Sequence, residues 1–308
     1  MLRQHSVCDF STSESWVILS PIEQSIKRKI EAVGTPLKDW DIQINYGIKT
    51  GCNEAFIITT EKRNEILANC QTEEERARTE ELIRPIIRGR DIKRYGYEWA
   101  GLWLIYIPWH FPYQFDESIQ GASEKAESAF KEQYATVYAH LLQYKEQLSS
   151  RNKAETGIRY EWYAMQRWGA KYWQDFLKPK IIFQEIVQSS QFSYDSDIHY
   201  LCNDTCRIIV GNDLPFLLGV LNSKLFFYAV KQYYGGGVLG ENGIRMKHTF
   251  FEKFPCIPFD KQIAELAIEL SNNYTDALAD ILDKKIYLSY SLSGEEIDYI
   301  EKLAKLTY

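Results

Sequence analysis

The segment Arg159-Tyr160-Glu161-Trp162-Tyr163-Ala164-Met165-Gln166-Arg167-Trp168 interleaves guanidinium, amide and aromatic side chains. An arginine can grip O6 and N7 of a guanine together, and a glutamine can pair with N6 and N7 of an adenine. Aromatic planes pack sugars or splayed bases. The opposite reading is equally open: Trp162, Tyr163 and Trp168 form core, with Arg167 as a surface residue. Lys171 extends the basic character of this stretch. Upstream, Arg84 to Arg94 holds five bases and one acid, and Arg88, Arg90, Lys93 and Arg94 are candidates to neutralise phosphates. Lys49-Thr50-Gly51-Cys52-Asn53 reads as a tight turn in which Thr50, Gly51 and Asn53 can donate to a phosphate, with Lys49 beside them.

Catalytic patterns are weaker. No glycine-rich turn ends in Gly-Lys-Ser/Thr, so no P-loop cradles phosphates. Gly235, Gly237 and Gly240 match GxGxxG, but a helical pattern precedes them and no helix opens after them, the reverse of a dinucleotide site. Asp91-Ile92-Lys93, with Glu80 or Glu81 upstream, offers fragments of a metal-dependent nuclease, at a frequency chance supplies. There is no Pro-Pro pair, and hence no Asn/Asp-Pro-Pro-aromatic loop of an amino-methyltransferase. His199, Cys202 and Cys206 have loose zinc-like spacing, with Cys256 or His248 as a fourth ligand that spacing does not specify. The reading is therefore a binding protein without catalytic residues, cofactor or metal.

The chain has 308 residues, 36 basic and 42 acidic side chains and a net charge of −6, which argues mildly against a nucleic-acid partner. The distribution matters more than the total. Residues 259–308 carry −5, leaving −1 on residues 1–258, where Arg151 to Lys180 and Lys224 to Lys253 are further basic runs. Six cysteines are too sparse for a disulfide framework. The longest apolar stretch, Leu214 to Val230, is broken by Asn222, Ser223 and Lys224, and the first sixteen residues lack a signal-peptide run. These features predict a cytoplasmic protein with no membrane span.

The elements that must position the candidates follow from pattern. Ser20-Pro21-Ile22-Glu23 is a capping box opening a helix with Ile22, Ile26 and Ile30 on one face. Asp41 to Ile48 alternates as a strand, and Ala55 to Thr59 reads as a second. Glu61 to Leu82 is predicted helical, Gly101 to Ile107 a strand, and Ser123 to Leu148 one long helix. Lys180 to Val187, Gln191 to Tyr200 and Arg207 to Val210 are strand signals. Asp213 to Tyr233 reads as an apolar helix, Lys261 to Ala279 as another, and Ser293-Gly294-Glu295-Glu296 caps a last one. Strands interrupted irregularly by helices predict a mixed α/β (α+β) fold, with a mixed sheet and flanking helices.

Five blocks together resemble a known family. GIKTGCNEAF (47–56), LIRPIIRGRDIKRY (82–95), YEWYAMQRW (160–168), KPKIIFQEI (178–186) and LLGVLNSKL (217–225), in that order, are similar to the TaqI-like C-terminal specificity domain of restriction-modification enzymes. FEKFPCIP (251–258) resembles the join between a target-recognition domain and its helical spacer. The resemblance implies a tail at 1–15, a DNA target-recognition domain at 16–258 and a C-terminal helical segment at 259–308. It also implies reading of a short duplex sequence in the major groove, with a methyltransferase or nuclease domain or subunit as partner. On that basis Lys49, Arg88, Arg90, Lys93 and Arg94 are expected at the DNA backbone, and Gln166 and Arg167 nearer the bases. The acidic segment 259–308 would suit docking to a catalytic partner. The alternatives are a metal-dependent endonuclease built on Asp91 and Lys93, and a protein-interaction module built on the aromatic segment.

Overall fold

In the computed structural model, which describes residues 19–235, 238–239 and 243–305, four antiparallel strands form a central sheet in the order Ile42–Tyr46, Cys206–Gly211, Lys180–Gln184 and Phe192–Asp195. Side chains alternate across a strand, and here both faces are covered. Ile181, Phe183 and Ile209 enter one core, while Ile182, Ile208 and Val210 enter a second. Register keeps the faces distinct, with Ile208 opposite Ile182 and Ile209 opposite Ile181. Double coverage explains why these strands read as unbroken apolar runs.

The first core is closed by helices Pro21–Val33, Leu214–Leu221 and Lys224–Ala229, together with Lys261–Asn272, Asp276–Ser289 and Gly294–Ala304. The capping boxes at Ser20 and Ser293 are both formed. Ile263, Leu282, Ile286 and Ile300 of the C-terminal helices are fully buried against this core. The second core lies under a smaller sheet ordered Ile57–Thr59, Leu102–Ile105, Ile83–Ile87 and Leu201–Cys202, the last pair parallel. Helices Thr60–Ala68, Glu73–Leu82, Glu124–Gln133, Ala135–Leu142 and Lys145–Ser150 complete it. The fold is mixed α/β, as the pattern of elements predicts.

Several elements differ from their sequence patterns, each for a tertiary reason. The long helix expected over Ser123 to Leu148 breaks at Tyr134 and Tyr144. At the first break, Glu75 accepts the Thr136 N–H at 2.9 Å and Arg78 donates to the Gln133 carbonyl at 3.1 Å, supplying the partners that helix ends lack. The apolar helix after Asp213 breaks at Asn222, whose buried amide exchanges hydrogen bonds of 3.0 and 2.8 Å with the Phe192 backbone. Ser223 then caps the next helix. The strand expected from Ala55 starts only at Ile57, because Asn53–Phe56 forms one helical turn first. Gly237 and Gly240 of the GxGxxG match lie outside the described residues. No single helix among the described residues is long and apolar enough to cross a membrane.

Candidate nucleic-acid interface

The turn after strand Ile42–Tyr46 is built by its own polar atoms. Gly51 takes φ +78°, a conformation glycine adopts without strain. Thr50 Oγ1 donates to Asn53 Oδ1 at 2.7 Å and accepts the Cys52 N–H at 3.2 Å. Thr50 is buried, so its hydroxyl holds the turn together and does not face a phosphate. Beneath it the half-buried Arg151 guanidinium donates to the carbonyls of Thr50, Trp162 and Ala164. That grip joins the turn to the aromatic segment. Lys49 and Arg167 complete the join with two backbone hydrogen bonds of 2.9 and 2.8 Å. Two candidates 118 positions apart in the chain thus stand side by side, both exposed. Gln166 is half-buried beside Gly51, and Asn53 is exposed.

The aromatic half of the interleaved segment is core. Trp162, Tyr163 and Trp168 are buried, with Trp162 Nε1 donating to Glu127 at 2.7 Å and the Tyr163 hydroxyl to the Phe111 carbonyl at 2.9 Å. The exposed ring at this edge comes from elsewhere. Tyr46, 41% exposed, lies under the Arg207 guanidinium at 3.7 Å and the Arg167 guanidinium at 5.3 Å. Arg207 is directly opposite Tyr46 in the sheet register and pairs with Glu185 at 2.8 Å. Arg245, half exposed, approaches the same carboxylate at 3.9 Å. Tyr46 and Arg245 extend the exposed edge beyond what spacing reveals, while Arg207 is buried against the ring and neutralised by Glu185. Alternation marks Tyr46, a strand signal begins at Arg207 and a basic run contains Arg245, but none of these shows the pairing that brings them together.

A second loop reaches the same edge. The Asn203–Thr205 turn is held on one side by Ile48, whose N–H donates to Cys202 at 2.8 Å. Gly47 packs so closely there that a Cβ would meet the Asn203 carbonyl at 1.9 Å. On the turn's other side, the Gly89 N–H donates to Thr205 Oγ1 at 3.3 Å. Arg90 is exposed in this second loop, and Lys93 is exposed with Glu98 at 3.4 Å. Lys171 is exposed just before the helical turn Trp173–Leu177.

Other cations in the basic runs are internal. Arg88 holds both carboxylate oxygens of Asp91, at 2.8 and 2.9 Å, and caps the short turn Gly89–Asp91. Burial pushes the Asp91 carboxyl up, but Arg88 and the backbone more than offset it, leaving its pKa below the ordinary value. Both oxygens of the Asp91 carboxylate are thus engaged by Arg88, and Lys93 pairs with Glu98 instead of with Asp91. Arg94 is largely buried, donating to Asp283 and to the Asn222 carbonyl, both at 3.0 Å. Its expected phosphate contact is replaced by a strut to the C-terminal helices. Lys180 is buried against Asp195 at 2.7 Å, and desolvation lowers its pKa although Asp195 opposes the shift. Cys202 and Cys206 lie in the second core and Cys256 in the first, so the zinc-like spacing does not assemble. Among the described residues no three His, Cys, Asp or Glu side chains converge to hold a metal ion.

The exposed cations are thus presented by two loops and a sheet edge of an α/β scaffold. The chain belongs to the family of TaqI-like C-terminal specificity domains, whose model matches residues 84–238. That range includes the Arg88–Arg94 and Gln166–Lys171 segments and Arg207, while Tyr46, Lys49 and Asn53 precede it. Two solved structures share the fold. The type IIL restriction-modification enzyme MmeI, in complex with DNA, superposes with a TM-score of 0.56 at 16% identity, covering 87% of this chain and 36% of that one. The type IIG restriction endonuclease BpuSI does so with a TM-score of 0.50 at 13% identity, covering 93% and 32%. The chain thus spans about a third of the length of each. No curated protein matches the sequence.

Proposed function

We propose that this chain reads a short duplex DNA sequence as the specificity module of a restriction-modification system. It would direct a methyltransferase or nuclease, carried on another domain or subunit, to its target. The observation that supports this best is the convergence of Lys49, Arg167 and Tyr46 at one sheet edge, braced by the buried Arg207 and assembled from segments distant in sequence. Arg90, Lys93 and Lys171 would serve phosphates, which set position and salt dependence. Arg167, resting on Tyr46 with its guanidinium exposed, would be the base-reading residue, and Gln166 a neighbour of limited reach. The recognition unit would run over residues 16–258. Its own helices at 259–308 would brace it, leaving their outer faces to a partner. The test is selection from a random duplex library at two salt concentrations, with and without a candidate methyltransferase. Enrichment of one short sequence, weakening with salt, is the expected result. Binding that is insensitive to both sequence and salt would reject the reading.

A further inference from the structure

The edge of the smaller sheet and the aromatic segment enclose a second feature that DNA reading does not require. An open cavity of about 740 Å³ lies there, walled by Trp103, Tyr106, Tyr134, Trp168 and Trp173. Phe115, which also lines it, stays 63% exposed with its ring 5.6 Å from that of Trp173. Sites of this volume, apolar with a few converging polar groups, are typical of small-molecule binding.

The polar groups are unusual. Nε of Arg63, Nε of Arg78 and Oε1 of Gln114 belong to residues lining this cavity, are buried, and have no hydrogen-bond partner among the described residues. Buried polar atoms are nearly always paired, so three in one lining call for an explanation. The two guanidinium heads are already fixed. Arg63 pairs with Glu80 at 2.7 Å and lies 4.2 Å over Trp103. Arg78 donates to Gln133 and lies 5.8 Å over Tyr134. The Nε–H of each and the Gln114 oxygen thus lie unpaired within the cavity wall.

We propose that this cavity binds a nucleobase-type heterocycle. Such a ring is planar and stacks on indole and phenol faces, and its acceptors and N–H match the two donors and one acceptor left unpaired in the wall. Two sources share this chemistry: a free nucleoside, or a base swung out of a DNA strand held at Arg167, the residue before cavity-lining Trp168.

The intact chain is titrated with adenosine, guanosine, cytidine and thymidine by saturation-transfer NMR. A second arm uses duplexes carrying 2-aminopurine, read by fluorescence with and without excess nucleoside. Naphthalene-2-methanol, similar in ring area but without the heterocycle's hydrogen-bonding edge, is the control. Saturable binding in either arm is expected, at least tenfold weaker in Trp173→Ala and several-fold weaker in Gln114→Leu. Both positions are partly exposed, and a thermal melt checks that each variant stays folded. A signal confined to the first arm assigns a free nucleoside, and one confined to the second assigns an extruded base. Three results would overturn the proposal: no saturable binding in either arm, affinity unchanged in both variants, or naphthalene-2-methanol binding as tightly as the nucleosides. The nucleoside arm needs no DNA, so its result stands whatever becomes of the DNA reading.

Discussion

At the junction with the C-terminal helices, Arg94 and Lys224 point inward and are enclosed by acids. At the edge formed by Tyr46, Lys49 and Arg167, cations stay in water. Both regions draw on basic runs that look alike in sequence. Arg94 meets Asp283, which is fully buried and also accepts the Lys224 N–H at 2.9 Å. The Lys224 ammonium reaches Asp280 and Glu301, each at 2.9 Å. Burial pushes the Asp283 carboxyl up, and the two cations pull against it. At the other edge, Arg167 makes one long side-chain hydrogen bond, 3.3 Å to the Gly47 carbonyl, and has no acidic partner among the described residues. Charge counted along a chain therefore overstates the field outside it. The excess acid of residues 259–308 is in part answered by Lys29, Arg94 and Lys224, which weakens the case for those acids as a partner's docking surface.

The strongest test of this contrast is truncation after Pro258. It uncovers the first core, so the product is expected to lose its cooperative urea transition, as read by circular dichroism. A truncated chain that still unfolds in one sharp step would show that the helices are an accessory. Next in size is Arg94→Ala, which leaves Asp283 buried without its main counter-charge. Removing one partner of a buried pair costs about 3–5 kcal/mol. The double change Arg94→Met with Asp283→Leu should recover most of that stability, and failure to do so would mean that Asn222 or packing carries the strut.

Acid titration probes the same helices. Burial alone raises the Glu296 carboxyl, but Lys29 at 2.7 Å, the Ser293 backbone and Ser25 hold it at about 2. Its folded pKa lies below its unfolded one. Its contribution is thus complete above the ordinary value near 4.5 and fades as pH falls from there to about 2. Glu296→Gln should remove roughly 2–3 kcal/mol at neutral pH and flatten that part of the stability profile. A profile identical to the parent's would place the acid sensitivity elsewhere.

Changes at the water-facing edge should be silent in stability and visible in binding. Arg167→Ala is expected to alter stability by no more than about 0.5 kcal/mol. It should weaken the selected sequence by about 1–3 kcal/mol and relax one base position. Equal loss on all sequences would reassign Arg167 to the backbone. The smallest effect belongs to Lys49→Ala, which should reduce the slope of log K against log salt by about 0.9 if it meets one phosphate. An unchanged slope would take Lys49 out of the footprint.

The capping boxes at Ser20 and Ser293 were legible because an N-cap satisfies its helix from four adjacent residues. The KIIF and RIIV strands were legible because coverage on both faces leaves no polar alternation. The break at Tyr134 was not, since Glu75 and Arg78 stabilise it from another helix. Nor was the fate of the aromatic segment, where Trp162, Tyr163 and Trp168 are divided from Gln166 and Arg167 by what covers them. Thr50 resembled a phosphate ligand and proved to be the staple of its own turn.

Local order by itself therefore determined the helix starts, the buried strands, the mixed α/β class and the run of blocks that marks the family. Those depend on forces between residues a few positions apart. Tertiary packing alone decided which guanidinium and ammonium groups face an acid and which face water, because desolvation and pairing depend on neighbours that folding brings from far along the chain. It also created the stack of Arg167 and Arg207 on Tyr46, which no single segment contains.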